Sequence, residues 1–156
     1  MTIVRAEGLA KADFSFTGKG ASDPFCEVHW KGEKVHKTKV VNNNLNPEWE
    51  ETFAVGVGPG DTGDMVISVY DSDGPLTKGD FLGQVVVPAE RLLKPTVGEE
   101  SASTTHPLVP KDGLSQKALK LVQGQLTLKV VPTPRGVGMA ALPPNAEEDA
   151  VVGSVD

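Results

Sequence analysis

Asp13, Asp23, Asp71, Asp73 and Asp80 fall in two short stretches of the chain, KADFSFTGKGASDPF and VYDSDGPLTKGDFLG. Carboxylates held close together repel one another unless a cation neutralises them, and an all-oxygen donor set of this kind suits Ca²⁺, which takes roughly six to eight oxygen ligands in flexible geometry. Any one of these aspartates is explained by turn chemistry alone, because the side chain bonds its own backbone. Five of them bordering apolar runs argue for a shared task, provided that folding brings both stretches to one edge.

The charge distribution supports a local acidic site. The net charge is −6; the tail from Thr133 onward carries −3, and the remaining −3 would become +2 without the five aspartates. A mildly basic body with one acidic edge would change its field at that edge when cations bind, from repelling an anionic surface to accepting it.

Short alternating runs supply the elements that must position the site. Eight strands are expected, over Met1 to Ala6, Pro24 to Lys31, Lys34 to Val41, Glu51 to Val57, Met65 to Tyr70, Leu82 to Val87, Thr104 to Val109 and Gly124 to Val131. In the second, Cys26, Val28 and Trp30 face inward while Phe25, Glu27 and His29 face the other way. KGE at 31–33 suits a hairpin, GPGDTGD at 58–64 a Gly-rich connection, and PAERLLKP one or two helical turns. Antiparallel strands at this spacing read as an all-β, eight-stranded sandwich of two sheets. If successive strands run up and down, the connections 7–23, 42–50 and 71–81 emerge at the same end and both acidic stretches meet. Residues 132–156, rich in Pro, Gly and small side chains without periodicity, read as a disordered tail following a folded unit of residues 1–131.

A-x-x-L-x-x-x-D at Ala6, Leu9 and Asp13, then SDPFCEV (22–28), KTKV (37–40), LNPEWEETF (45–53) and VISVYDSDG…GDFLG (66–83), together resemble a C2 domain of the calcium-dependent membrane-binding type. The resemblance covers residues 1 to about 131, and the strand order is similar to the second of the family's two circularly permuted topologies. It implies that Asp13 and Asp23 on a first loop, and Asp71, Asp73 and Asp80 on a third, ligate Ca²⁺ with the carbonyls of Ala12 and Ser72. The segments between Asp13 and Asp23 and between Asp73 and Asp80 are longer than the family usually has. That enlarges the loop tips without removing a ligand.

On those lengthened tips lie Phe14, Phe16 and Lys19, and Leu76 with Lys78. Burying two Phe side chains at a bilayer interface would contribute roughly 3 to 6 kcal/mol, and each nearby Lys about 1 kcal/mol on an anionic leaflet. Phe14, Phe16 and Leu76 are therefore expected to insert into a membrane, with Lys19 and Lys78 meeting anionic headgroups; the alternative for Phe16 is a lid folded over the strand end. Lys37 and Lys39 share a strand face. By resemblance they could hold a phosphoinositide headgroup with Tyr70, whereas by elementary chemistry they form a solvated face that discourages edge pairing.

The expected activity is calcium-dependent binding to anionic phospholipid membranes. The alternative is a protein-binding C2 module, acting through the tail or a sheet face, with a structural or empty calcium site. An EF-hand is excluded: Asp71-Ser72-Asp73-Gly74 begins like one, but its twelfth position is Leu82 and Pro75 interrupts the loop. No nucleophile, phosphate-loop or metalloprotease motif is present, so no enzyme is expected, nor is nucleic acid an expected partner. A single cysteine, Cys26, fits a reducing compartment, and with no span of apolar residues long enough for a bilayer the expected location is cytoplasmic, peripheral to membranes when calcium binds.

Overall fold

Period-two patterning produces eight strands in the computed structural model, which describes residues 1–11, 22–74, 79–93 and 103–131. They are β1 (Thr2–Glu7), β2 (Pro24–Trp30), β3 (Glu33–Lys37), β4 (Glu48–Thr52), β5 (Asp64–Asp71), β6 (Asp80–Pro88), β7 (Ser103–Pro107) and β8 (Gln125–Lys129), with two short helices, α1 (Ala89–Leu93) and α2 (Gln116–Leu119). One antiparallel sheet runs β4-β1-β8-β7 and the other β3-β2-β5-β6. The core lies between them, where Ile3, Ala6, Leu126 and Leu128 meet Cys26, Val28, Ile67, Val69, Leu82 and Val85. This is the expected all-β sandwich, with α1 at PAERLL and both Trp30 and Trp49 buried.

Three details depart from the sequence pattern. The fourth strand ends at Thr52 instead of Val57 because its partner β1 begins at Thr2, and the last contact is the Phe53 amide on the Met1 carbonyl. Phe53, Val55 and Val57 still lean on the core without strand pairing. The third strand stops at Lys37 instead of Val41, since Thr38 Oγ1 accepts the Cys26 amide at 2.8 Å where the ladder would have supplied a backbone carbonyl.

The third departure concerns β2, whose two faces are both covered. Alternation points Phe25 and Glu27 outward, yet both are buried. Phe25 is covered by the connection between β7 and β8, which docks on β6 through paired Gln84 and Val109 amide and carbonyl groups at 2.9 Å, while Glu27 meets Lys34 of β3, its Oε2 3.2 Å from Nζ. Leu114 and Val122 from this strap pack against a second apolar cluster of Phe25, Tyr70 and Phe81.

Candidate functional site

The acidic end is built where β2, β5 and β6 terminate together. Register places Pro24 opposite Asp71 and Asp71 opposite Asp80, so three neighbouring strands deliver their acidic ends to one place. The carboxylate oxygens of Asp71, Asp73 and Asp80 offer ligand atoms within 4.8 Å of one another. Two oxygens bound to one Ca²⁺ at about 2.4 Å each can stand no more than about 5 Å apart, so this spacing fits a shared ion. The donor set is all oxygen and formally anionic, which favours a hard cation over the softer transition metals.

Asp71 is fully buried, whereas Asp73 and Asp80 are exposed. Its Oδ1 accepts the Asp23 amide at 2.7 Å, and the Asp23 carbonyl accepts the Ser72 amide at 2.9 Å. This pair of bonds ties the entry of β2 to the exit of β5. Asp23 in turn receives the Asn43 amide on Oδ1 at 2.6 Å, while the Asn44 amide donates to the Ser22 carbonyl and the Leu9 amide to Leu45. The three connections expected at one end are therefore linked by hydrogen bonds wherever they are described.

Gly79 makes the tightest approach in this region. Its φ is +93°, and a Cβ there would overlap the Asp71 carbonyl oxygen, so only glycine lets the segment return to β6 beside Asp71. The sequence pattern singles out neither Gly79 nor Asn43. Gly79 stands immediately before Asp80, a signal that could have found it; the Asn43 contact depends on tertiary placement.

One residue below the carboxylates lies an aromatic row. Phe25 and Tyr70 stack with centroids 5.7 Å apart, and Tyr70 meets Phe81 edge-on at 5.8 Å. Tyr70 is only 7% exposed within this cluster. The Lys37 ammonium lies 4.8 Å from the Phe25 ring centroid, and Lys111 from the strap lies 4.5 Å from that of Phe81 and 5.7 Å from that of Tyr70. Lys39 is exposed at the open side of the sandwich, where its amide donates to Glu51 Oε2 at 2.9 Å. Nothing in the sequence marks Lys111, because PKDG reads as an ordinary turn.

Ala12, Asp13, Phe14, Phe16, Lys19, Leu76 and Lys78 lie outside the described residues. Of the expected metal ligands, the structure brings together Asp71, Asp73 and Asp80 and ties the backbone of Asp23 and Ser72 to the same corner.

The C2 domain family model matches residues 1–104. The chain belongs to the C2 domain family. This C2 domain is 39% identical over 101 residues to multiple C2 and transmembrane domain-containing protein 1 of Homo sapiens, covering 64% of the chain and 9% of that protein. It is 30% identical over 130 residues to a calcium-dependent lipid-binding protein of Arabidopsis thaliana, covering 83% of the chain and 24% of the relative. The chain thus spans between about a tenth and a quarter of the length of the curated relatives it matches. Among solved structures, a C2 domain of plant extended synaptotagmin 1 superposes with a TM-score of 0.60 at 30% identity, covering 81% of this chain and 86% of that one. The calcium-bound pair of C2 domains of extended synaptotagmin 2 gives a TM-score of 0.58 at 25% identity, covering 81% and 41%. No helix among the described residues is long and apolar enough to cross a membrane.

Proposed function

We propose that this C2 domain binds anionic phospholipid surfaces when Ca²⁺ occupies the acidic end of the sandwich. The observation that carries the reading is the convergence of Asp71, Asp73 and Asp80 from β5 and β6 within the span of one cation's ligand shell. Asp71, Asp73 and Asp80 would hold the ion with Asp13, Asp23 and the carbonyls of Ala12 and Ser72. When bound, Ca²⁺ supplies positive charge and open coordination positions for lipid phosphate and carboxylate oxygens.

The chain's own contribution is positional and electrostatic. The Asp23 to Asp71 and Ser72 to Asp23 hydrogen bonds hold the two loops together, and Gly79 lets the third loop close on β6. Free of cation, the clustered carboxylates repel an anionic leaflet; neutralised, they leave Lys19 and Lys78 to attract it and Phe14, Phe16 and Leu76 to enter it. A relative named for calcium-dependent lipid binding and a calcium-bound solved homologue support the same reading.

Sedimentation with phosphatidylserine vesicles tests it. Wild-type protein should pellet with Ca²⁺ and stay in solution with chelator, while the Asp71→Asn, Asp73→Asn double variant should stay in solution in both. Pelleting that is indifferent to calcium and to these substitutions would overturn the reading and favour a protein-binding module.

A further inference from the structure

The outer face of the β3-β2-β5-β6 sheet carries a buried acid among its lysines. Glu27 is 2% exposed, and its Oε2 lies 3.2 Å from Lys34 Nζ. Register sets Glu27 directly opposite Lys37 on β3 and Ser68 on β5, so all three side chains share one face. The Lys37 ammonium is drawn over the Phe25 ring, and Lys111 over Phe81. The positive charge that Lys34 brings to this face is therefore neutralised from within the sheet. A carboxylate that is shielded from solvent is screened weakly by salt, so it opposes any dense negative charge brought onto the lysines around it.

We propose that Glu27 sets the headgroup specificity of this face: it takes Lys34 as its own counter-ion and turns away polyphosphorylated headgroups from the Lys34 and Lys37 surface. The proposal rests on the membrane-binding reading above. On that reading, attachment runs through the carboxylate end of the sandwich, and this face adds no selectivity for a polyphosphoinositide over a lipid of single charge.

The test measures binding to phosphatidylcholine vesicles carrying phosphatidylinositol bisphosphate, in chelator, for wild type and Glu27→Gln. Neutralising Glu27 should raise affinity about fivefold, the worth of one charge at an anionic surface. The gain should vanish when Lys34→Ala and Lys37→Ala are added. Soluble inositol trisphosphate, which bears the same phosphates without a bilayer, should compete for the gained binding. Equal binding by wild type and Glu27→Gln overturns the proposal, as does a gain that survives loss of both lysines or is untouched by the soluble competitor. Should the amide leave the chain unfolded by circular dichroism, Glu27→Met, of similar volume and uncharged, makes the same comparison. Calcium-dependent pelleting on phosphatidylserine vesicles should be the same for wild type and variant. Its absence in wild type would count against the membrane-binding reading alone, because the chelator comparison does not depend on it.

Discussion

The Asp23 amide donates to Asp71 Oδ1 across 2.7 Å, joining the start of β2 to the end of β5 at the point where the acidic loops meet. A buried carboxylate here therefore has two tasks, to hold a neighbouring strand end and to contribute charge to the cluster. The two separate by substitution. Asp71→Asn keeps an oxygen acceptor at the same volume, so in chelator its melting temperature should stay close to wild type, while the rise expected of wild type with Ca²⁺ should disappear. Asp71→Ala also leaves the Asp23 amide without its acceptor, at a cost of about 1 to 3 kcal/mol. Thermal melts of the three proteins with and without Ca²⁺ check both expectations; a full calcium shift in Asp71→Asn would remove Asp71 from the ligand set.

Asp80→Asn should act in the opposite direction when no cation is present. Asp71 and Asp80 face each other across β5 and β6, and like charges directly opposite on a sheet are destabilising. Relief of that repulsion should stabilise the chelated protein by about 0.5 kcal/mol. Denaturant unfolding in chelator reads the sign. A loss of stability would mean that Asp80 is held by favourable contacts that outweigh the repulsion.

Gly79→Ala should damage the site more than any change of charge on the exposed aspartates. At φ +93° an added Cβ runs into the Asp71 carbonyl oxygen, which is backbone and cannot rotate away. The expected cost is about 1 to 3 kcal/mol of local strain, expressed as weaker Ca²⁺ binding in calorimetry as well as a lower melting temperature. Gly74→Ala is the matched control: its φ is also positive, at +110°, but nothing lies within 4 Å of an added Cβ. It should bind Ca²⁺ more tightly than Gly79→Ala.

The sandwich and the acidic corner are legible in the sequence because both follow from local patterns. Alternation in FCEVHW and QLTLK marks strands, and up-and-down connectivity sends the loops bearing Asp23 and Asp71 to one end. What stays hidden depends on residues distant in sequence. Phe25 looks like a solvent residue of β2 until Leu114 and Val122 are brought over the second sheet by the β7 to β8 strap, and Glu27 until Lys34 of β3 is set against it. The same distance effect shortens β3 and β4, whose ends are decided by the Thr38 side chain and by where β1 begins.

Cys26 should be inert in the folded protein and should limit its stability in alkali. The thiol is completely buried between the sheets, and loss of solvation, followed by the Glu51 charge, raises its pKa well above the usual 9.0. An acid whose folded pKa is raised is protonated in both states below 9.0, so the group leaves stability unchanged there. Above 9.0 the unfolded chain gains by ionising while the folded one does not, and stability falls with rising pH until the folded value is reached. Cys26→Ala should flatten this alkaline limb, at about 1 kcal/mol for the lost packing. A thiol reagent should label native wild-type protein no faster than it unfolds; rapid labelling at neutral pH would mean that the site is open to solvent.

Glu51 should prove the main polar fastener between the two sheet edges. It lies on β4 at the edge of one sheet, and its Oε1 meets His36 Nε2 of β3, at the edge of the other, at 3.0 Å. Its Oε2 accepts the Lys39 amide at 2.9 Å, and the His36 ring stacks on Phe53 with centroids 4.6 Å apart and an interplanar angle of 9°. One carboxylate thus satisfies a side chain of the opposite sheet's edge strand and a backbone amide just beyond that strand, which the sandwich core alone would leave to water. Glu51→Gln preserves an acceptor for the Lys39 amide and removes the charge, so its cost should stay below about 1 kcal/mol. Glu51→Ala removes both contacts and should cost about 2 kcal/mol, at the upper end for two partly exposed hydrogen bonds. Because this fastener lies at the lateral edge formed by β3 and β4 and shares no ligand with Asp71, Asp73 and Asp80, Ca²⁺ should still raise the melting temperature of Glu51→Ala by as much as it does in wild type. A reduced calcium increment in Glu51→Ala would mean that the edge and the acidic corner are energetically coupled.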